Sequence, residues 1–426
     1  MADAVAQPSL AALKRYEKHN FIVNVLDLTF YELALSFIFG STVLSLYTSY
    51  LTSSAFLIGL VPAVQNVGFF LPQLLLSQKT ETLALKKPFI MRISVMERLP
   101  YLVVAALIFV WPGAPPWLSY GVLLLSLGTG TFSGGLAGPA WQAMIAKVVP
   151  PARRGLMFSL GRAIGAGLGL LGALLSRRIL ADHAYPISFG ICFLLSFMAQ
   201  AASWFCLSLN REPSVPTQRQ AVDRRAYLRG LPALLRSDGN LCRYLVARML
   251  VILGGMAGAF YIIYARRAFG VGDAFAGELT MAALAAQVTL VPLLGWVSGR
   301  RGHKWLAELG ALITAAGLVG LLAAPSAPWL YAVFAVINTG NAAVGVASFA
   351  MTMEFCPEQD VPTYTAMINT IMAAPILLAP LVGGWLVDVI SLRTTFAVAL
   401  AFCFVGWGFM RWAVHTPRYG VHEAKA

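Results

Sequence analysis

An apolar stretch near the start of the chain carries four polar side chains whose spacing suits proton chemistry. Asn24, Asp27 and Tyr31 are three and four residues apart, so they share one stripe of a helix. Glu32 lies at the edge of that stripe. A buried carboxyl can bind and release a proton when its surroundings change from dry to wet. Asp27 and Glu32 are therefore candidate proton carriers; the alternative is that they form fixed ion pairs that brace neighbouring helices.

Four more ionisable residues interrupt apolar stretches. Glu97 and Arg98 are adjacent, so their side chains point about 100° apart on a helix and are expected to pair with other helices, not with each other. Arg162 and Arg248 each lie roughly 10 Å inside their stretch. Either could neutralise Asp27 or bind an anionic ligand group through two hydrogen bonds. We interpret Arg248 as a candidate cavity residue and assign the other three to gating or bracing.

Neutral polar side chains complete this set. Amides and an indole suit hydrogen bonding to an organic solute and stacking on it, although each alone more often joins two helices. The further candidates for solute contact are Asn24, Tyr31, Trp141, Gln142, Asn338 and Asn341, and those for gating or bracing are Gln65, Asn66 and Gln287.

Motifs for catalysis or cofactor binding are missing from the sequence. It contains no phosphate-binding loop with its lysine, no HExxH and no GxSxG. The five histidines and five cysteines show no metal-ligand spacing and no disulfide framework. We therefore expect no enzyme, no cofactor and no metal site.

Long apolar stretches must position these residues. The chain has 426 residues, 58% of them hydrophobic and 12% charged, whereas a soluble domain carries about 25% charged residues. This excludes a soluble enzyme, a secreted disulfide scaffold and a disordered chain. Stretches of at least about 18 apolar residues are typical of membrane-spanning helices. We predict twelve, at 21–47, 54–78, 89–111, 117–147, 155–180, 186–209, 241–264, 274–299, 305–324, 328–355, 362–390 and 393–415.

The distribution of positive charge predicts the orientation. Of the 31 basic residues, 23 lie in the two termini or in the loops on the same side of the membrane as the termini. Five lie in the loops on the opposite side, and Arg98, Arg162 and Arg248 lie inside the membrane. Lysine and arginine are retained in cytoplasmic loops. Both termini are therefore expected in the cytoplasm. The net charge of +13 is explained by attraction to anionic lipid, and a nucleic-acid partner is not expected.

The sequence also contains an internal repeat. Pro150 and Pro357 correspond at an offset of 207 residues, and Pro72 and Pro292 at an offset of 220. We predict a first six-helix half at 1–209, a cytoplasmic linker at 210–240 with a surface helix near 222–236, and a second six-helix half at 241–426. Two parallel halves of six helices are one known transporter plan.

The segment GWVSGRRGHK, residues 295–304, resembles the loop signature G-x-x-x-D-R-x-G-R-K of the major facilitator superfamily. Gly295, Arg300, Gly302 and Lys304 match the signature, Gly299 replaces its aspartate, and His303 stands where arginine is usual. The run PLVGGWLVD, residues 380–388, is similar to the eleventh helix of the family. The resemblance implies a twelve-helix transporter whose helices 1, 4, 7 and 10 line a central cavity. The candidates for solute contact, together with Arg248, lie on these helices and would therefore line the substrate cavity. The Gly-Pro signature of antiporters is absent from span 5.

Glycine and proline patterns indicate where helices meet or bend. Gly161, Gly165 and Gly169 recur every four residues in span 5, and Gly130, Gly134 and Gly138 do so in span 4. Such faces allow close helix packing. Pro375 and Pro380 predict a bend in span 11.

These observations predict an all-α secondary transporter of the bacterial cytoplasmic membrane that acts as a monomer. Its partners would be membrane lipid, protons and a small organic solute, with export of an amphipathic or cationic compound favoured. Uptake of a sugar or an organic anion, or uncoupled facilitation, are alternatives. A sensor or assembly protein of the same fold is the rival from another class.

Overall fold

The computed structural model describes residues 3–81, 83–213, 238–355 and 361–415, and among these it contains twelve helical spans long and apolar enough to cross a membrane. The predicted all-α membrane fold is confirmed. Spans 1 and 7 are each built from three helical segments, and the other ten are single helices. Span 1 consists of Asp3–Phe37, Gly40–Leu44 and Ser45–Leu51, and spans 2 to 6 are Ala55–Glu81, Lys87–Val110, Pro116–Val148, Pro151–Asp182 and Ile187–Ser208. Span 7 consists of Gly239–Gly254, Gly255–Phe260 and Tyr261–Phe269, and spans 8 to 12 are Ala274–Arg301, His303–Leu322, Trp329–Glu354, Val361–Val389 and Leu392–Ala413.

The interrupted helices of spans 1 and 7 occupy equivalent places in the sequence repeat. Span 1 changes to a π-helix at Gly40, and span 7 changes to a 3₁₀-helix at Gly255. The two positions differ by 255 − 40 = 215 residues, between the two offsets of the sequence repeat. Departures from α-helical geometry often mark a hinge or a functional site.

The same repeat is visible in the hydrogen bonds that join the beginning and end of each set of six helices. Asn20 donates from its side chain to the carbonyl of Arg211 and accepts from the Arg211 N–H, at 3.1 and 2.9 Å. Asn240 makes the same two bonds to His415, at 2.9 and 2.8 Å. In each set of six, one asparagine side chain therefore bonds to both the N–H and the carbonyl of a residue just beyond the end of the sixth helix.

Two compact units divide the chain, and their limits differ from the repeat. The first comprises Met1–Phe39 and Val67–Val222, and the second comprises Gly40–Asn66 and Asp223–Ala426. The segment 40–66, which holds the end of span 1 and the start of span 2, therefore packs with spans 7–12. The predicted boundaries at 209 and 241 stay a prediction, and the predicted helix near 222–236 lies outside the described residues.

Glycines in spans 4 and 5 allow close approach, as their spacing predicts. A Cβ atom on Gly161 would lie 2.7 Å from Leu28 of span 1, and one on Gly165 would lie 2.7 Å from the Cβ of Glu32. The prediction for Gly138 is wrong, because a Cβ there would meet open space. The helix Val361–Val389 continues through Pro375 and Pro380, so the bend in span 11 stays a prediction.

Candidate functional site

A buried polar cluster in the first unit is centred on Asp27 of span 1. The residue is 5% exposed, and its Oδ1 accepts a 2.6 Å hydrogen bond from the Oγ of Ser203 in span 6. The indole of Trp141 in span 4 lies near this carboxyl. Spans 1, 4 and 6 thus meet around the carboxylate of Asp27.

Arg98 of span 3 links this carboxyl to a second one. Its guanidinium is buried and donates to the Oγ of Ser203 at 3.3 Å and to Oε2 of Glu97 at 3.1 Å. It also donates to the carbonyls of Ser94 and Gln200, at 2.8 and 3.0 Å. The guanidinium therefore joins spans 3 and 6 through four partners.

The expectation that Glu97 and Arg98 do not pair with each other is wrong. Their Oε2 and Nη1 atoms lie 3.1 Å apart. The Cβ directions do diverge by about 100° on the helix, but the arginine side chain is long enough to curve around to its neighbour. Each residue also bonds to another helix, as expected, since Glu97 accepts from the hydroxyl of Tyr31 at 3.3 Å.

Gly134 of span 4 provides the space for the Glu97 carboxylate. A Cβ atom on Gly134 would lie 2.8 Å from Oε1 of Glu97, and one on Gly130 would lie 3.2 Å from the Glu97 carbonyl. The glycine face predicted in span 4 therefore packs against a charged residue and not only against an apolar helix.

Charge balance distinguishes this cluster from an ordinary ion pair. Asp27 and Glu97 are two carboxyls, whereas Arg98 is the one cation of the cluster among the described residues. It pairs directly with Glu97 and reaches Asp27 through the hydroxyl of Ser203. An unpaired charge in a low-dielectric interior costs several kcal/mol (about 2.5–3.5 on insertion scales). The cluster is electrically neutral when one of its two carboxyls holds a proton.

Glu32 is in a different environment. It faces Arg162 of span 5 at 4.0 Å, and the side chains are 36% and 73% exposed. Exposed pairs of this kind contribute at most about 1 kcal/mol. Of the two carboxyls singled out on span 1, Asp27 is the buried one with fixed partners, and Glu32 is the open one.

Other predicted site residues in the first unit are divided between burial and exposure. The amide of Asn24 is fully buried and exchanges hydrogen bonds of 2.6 and 3.1 Å with Asn210. This favours bracing over solute contact at Asn24. Trp141 packs edge-on against Phe158, with ring centres 5.9 Å apart, and the side chain of Gln142 is exposed.

Predicted site residues in the second unit remain separate. Arg248 lies next to the hydroxyl of Tyr244, one helical turn away. Asn338 donates to the carbonyl of Phe334 in its own helix, and Asn341 accepts from Thr314 of span 9 at 3.4 Å. Gln65, Asn66 and Gln287 are partly buried. No shared cluster among the described residues joins these six side chains.

The residues of the loop signature between spans 8 and 9 differ in their contacts and backbone conformation. Gly302 has φ +91° and ψ 155°, a conformation essentially restricted to glycine. Arg300 stacks on the ring of Trp296 at 3.9 Å. Lys304 pairs with the buried Glu308 at 3.4 Å. A Cβ atom on Gly295 would meet open space, so packing does not explain that match.

Sequence reasoning missed a carboxylate that holds the start of span 2. Asp388, at the end of span 11, accepts from the backbone N–H groups of Ala55 and Phe56 at 2.7 and 2.9 Å and from the hydroxyl of Ser54 at 2.8 Å. The first N–H groups of a helix have no partner within the helix, and its N-terminus favours negative charge. Asp388 thus caps span 2 from another helix. The sequence signal was Ser54 directly before an apolar run.

Further contacts fix the segment 40–66 within the second unit. Tyr50 donates to both carboxylate oxygens of Asp273 at 2.8 Å, and Arg266 lies 4.3 Å above the Tyr50 ring. A Cβ atom on Gly384 would lie 2.4 Å from the carbonyl of Ala55. We call these contacts, together with those of Asp388, the distal latch, because they lie on the side away from the chain termini.

Sequence reasoning also missed Ser203 and Gln200, which lie on the face of span 6 towards Arg98, and Glu278 of span 8, which accepts from the hydroxyl of Tyr331. Small polar residues in an apolar helix are too common to be singled out. Among the described residues, no group of three metal-ligating side chains is found.

Comparison with known proteins places this geometry in a class. The model of the Major Facilitator Superfamily matches residues 244–426. An auto-inhibited peptide transporter of the POT family has a TM-score of 0.71 at 14% identity, covering 94% of this chain and 98% of its own. A D-xylose–proton symporter has 0.68 at 17%, covering 93% and 98%. The nucleoside transporter NupG has 0.71 at 11%, covering 92% and 99%. No curated protein sequence matches the chain.

The chain therefore has the fold of the major facilitator superfamily, and the resemblance seen in its loop signature is confirmed. The family model covers the second six helices, and the structural likeness extends over nearly the whole chain. The expected fold, with twelve helices that can cross a membrane, is confirmed by the family model over the second six helices and by the structural likeness over nearly the whole chain.

Proposed function

We propose that the chain is a proton-coupled secondary transporter of a small organic solute, and that Asp27 binds the proton. The observation that carries this proposal is the charge balance of the buried cluster, in which two carboxyls share one guanidinium. Proton uptake makes the cluster neutral, and proton loss leaves it with one negative charge. Such a site exchanges protons when alternating access changes its exposure to water.

Asp27 is preferred over Glu97 and Glu32 for stated reasons. Glu97 contacts Arg98 directly at 3.1 Å and is the natural counter-ion of the guanidinium. Asp27 reaches Arg98 only through the hydroxyl of Ser203. Glu32 is one-third exposed beside Arg162 and has no buried charge to balance. Other ionisable groups around the cluster are the hydroxyls of Tyr31 and Tyr101, which lie near Glu97, and the thiol of Cys206, which lies near Asp27.

The excess of one carboxyl in the cluster also supports a class of solute. A cluster with one carboxyl more than its cations favours a cationic or amphipathic solute that competes with the proton, and this supports export. Uptake of a sugar or organic anion is the second candidate, supported by Arg248, Asn338 and Asn341, whose side chains can bind hydroxyl or carboxylate groups. The positive-charge bias supports a cytoplasmic-membrane location with both termini inside. Action as a monomer remains our expectation.

Reconstitution into liposomes tests the proposal. The protein is placed in vesicles that contain a pH-sensitive dye, and an organic cation, a sugar and an organic anion are added outside in turn. A solute-dependent change of internal pH supports coupled transport. Movement of a radiolabelled solute without any pH change identifies a facilitator, and the absence of movement for every solute that binds identifies a non-transporting protein of the same fold.

A further inference from the structure

An aromatic groove lies on the exposed surface of span 12, near the end of the described chain. Its volume is about 500 Å³, and its lining is almost entirely apolar. The side chains that form it include Phe404, Val405, Trp407, Phe409 and Trp412. Trp412 is 75% exposed, so the groove is open to the surroundings of the helix.

Gly408 forms the floor of this groove. A Cβ atom on Gly408 would lie 2.8 Å from the ring of Trp412. The absence of a side chain lets that ring lie against the helix, where it meets Trp407 edge-on with ring centres 5.6 Å apart. The groove is therefore shaped by Trp407, Gly408 and Trp412.

Cations lie at the end of the groove that is nearer the chain terminus. Arg411 falls three residues after Gly408, on the same side of the helix, and its side chain is 58% exposed. Lys304 donates to the carbonyl of Arg411 at 3.3 Å. Glu308 pairs with both cations, at 3.3 and 3.4 Å. Among the residues that the structure describes, two cations share one carboxylate here, so one positive charge is left over.

The loop between spans 8 and 9, from which Lys304 reaches Arg411, has the same character. Arg300 and Arg301 are exposed and stack on Trp296 and Trp305. Tryptophan beside arginine or lysine is typical of the membrane–water interface, and basic residues on the cytoplasmic side attract anionic lipid headgroups. An apolar groove that ends at a net positive charge matches an acyl chain attached to a phosphate.

We propose that an anionic phospholipid binds here, with an acyl chain between Trp407 and Trp412 and its phosphate at Arg411 and Lys304. The site lies outside the polar cluster around Asp27 and does not depend on the transport proposal. It gives the carrier a preference for a membrane that contains anionic lipid.

Native mass spectrometry of the full chain in detergent tests this site. Phosphatidylglycerol and phosphatidylcholine with identical acyl chains are added at equal mole fraction, and the ratio of the two adducts is measured. We expect the wild-type ratio to exceed one clearly and Arg411→Gln to lower it about fivefold, since one basic residue near a surface contributes about 1 kcal/mol. Arg411→Lys should keep most of the preference, and Glu308→Gln should raise it.

Matched variants separate this site from general lipid contact. Trp412→Ala should reduce adducts of both lipids, whereas Trp385→Ala, another exposed tryptophan, should not. Arg393→Gln, at the opposite end of span 12, should leave the ratio unchanged. Equal adducts of the two lipids, equal ratios for Arg411→Gln and Arg393→Gln, or displacement of phosphatidylglycerol by inorganic phosphate would each overturn the proposal.

Discussion

Ser203 donates a 2.6 Å hydrogen bond to Asp27 across 176 residues of sequence, and the same hydroxyl accepts from Arg98. A neutral hydroxyl thus stands between a carboxylate and a guanidinium that would otherwise form a direct ion pair. A direct pair would favour permanent ionisation of Asp27, because an adjacent opposite charge stabilises the charged form. The inserted hydroxyl weakens that effect, which supports the proposed role of Asp27 in proton binding.

Gly134→Ala should disturb the cluster without touching a titratable group. The new methyl group would lie 2.8 Å from Oε1 of Glu97, so the carboxylate must move away from Arg98 or Tyr31. We expect a loss of about 1–3 kcal/mol in stability, the usual cost of overpacking, and weaker coupling. Gly138→Ala, one turn further along the same helix, meets open space and is the matched control. Equal thermal stability of the two variants would contradict the packing described for Glu97.

Asp388→Asn should loosen the distal latch. The change removes the negative charge at the N-terminus of span 2, which is worth about 1 kcal/mol or less. Exchange of the Ala55 and Phe56 amide hydrogens should therefore quicken by up to about fivefold, measured by mass spectrometry of the peptide that contains them. Asp182→Asn removes an exposed carboxyl from the end of span 5 and should leave that peptide unchanged. An unaltered exchange rate in Asp388→Asn would show that the cap contributes nothing.

Gly302→Ala should destabilise the protein through its backbone. The φ of +91° is strained for any residue with a Cβ atom, at a cost of about 1–3 kcal/mol. Gly299 has no such φ and open space around its Cβ position, so Gly299→Ala is the control. The unfolding midpoints of both variants in detergent measure the difference. A lower midpoint for Gly299→Ala than for Gly302→Ala would refute this explanation of the signature.

The pair formed by Glu354 and His303, which lies just beyond the candidate membrane-spanning segment Trp329–Thr352, predicts a pH dependence. Burial raises the pKa of the Glu354 carboxyl above its ordinary value of 4.5, and the nearby His303 opposes the rise. A raised carboxyl pKa in the folded state means that stability is lost as the pH rises from 4.5 through the raised value. Glu354→Gln should remove that loss, and His303→Gln should enlarge it. The free energy of unfolding is measured at several pH values from 4 to 7. The same change with pH in the wild type and in Glu354→Gln would disprove this.

Much of the fold could be predicted because membrane helices are specified by length and composition. The twelve apolar stretches, the repeat and the loop signature can each be read directly from the sequence. The same is true of the spacing of Gly161 and Gly165, which face a neighbouring helix. The break in span 1 at Ile38 and Phe39 did not, since neither residue type disfavours a helix strongly.

The site was predicted only in part, for physical reasons. Asp27, Tyr31 and Trp141 were recognised because polar residues in a membrane are costly, but the sequence could not give the rotation of one helix against another. Ser203 therefore went unnoticed. Arg98 paired with its neighbour because side-chain length, and not only helix angle, decides what an arginine reaches. Asp388 was missed because its partners are backbone N–H groups, which every helix start presents.

The most direct test of the account is proton release from the purified protein in weakly buffered detergent when a binding solute is added. Wild type is compared with Asp27→Asn, whose amide oxygen can still accept from Ser203, and with Glu32→Gln. The account predicts release by the wild type, continued release by Glu32→Gln, and none by Asp27→Asn. Undiminished release by Asp27→Asn, or no release by the wild type with a solute that binds, would contradict it.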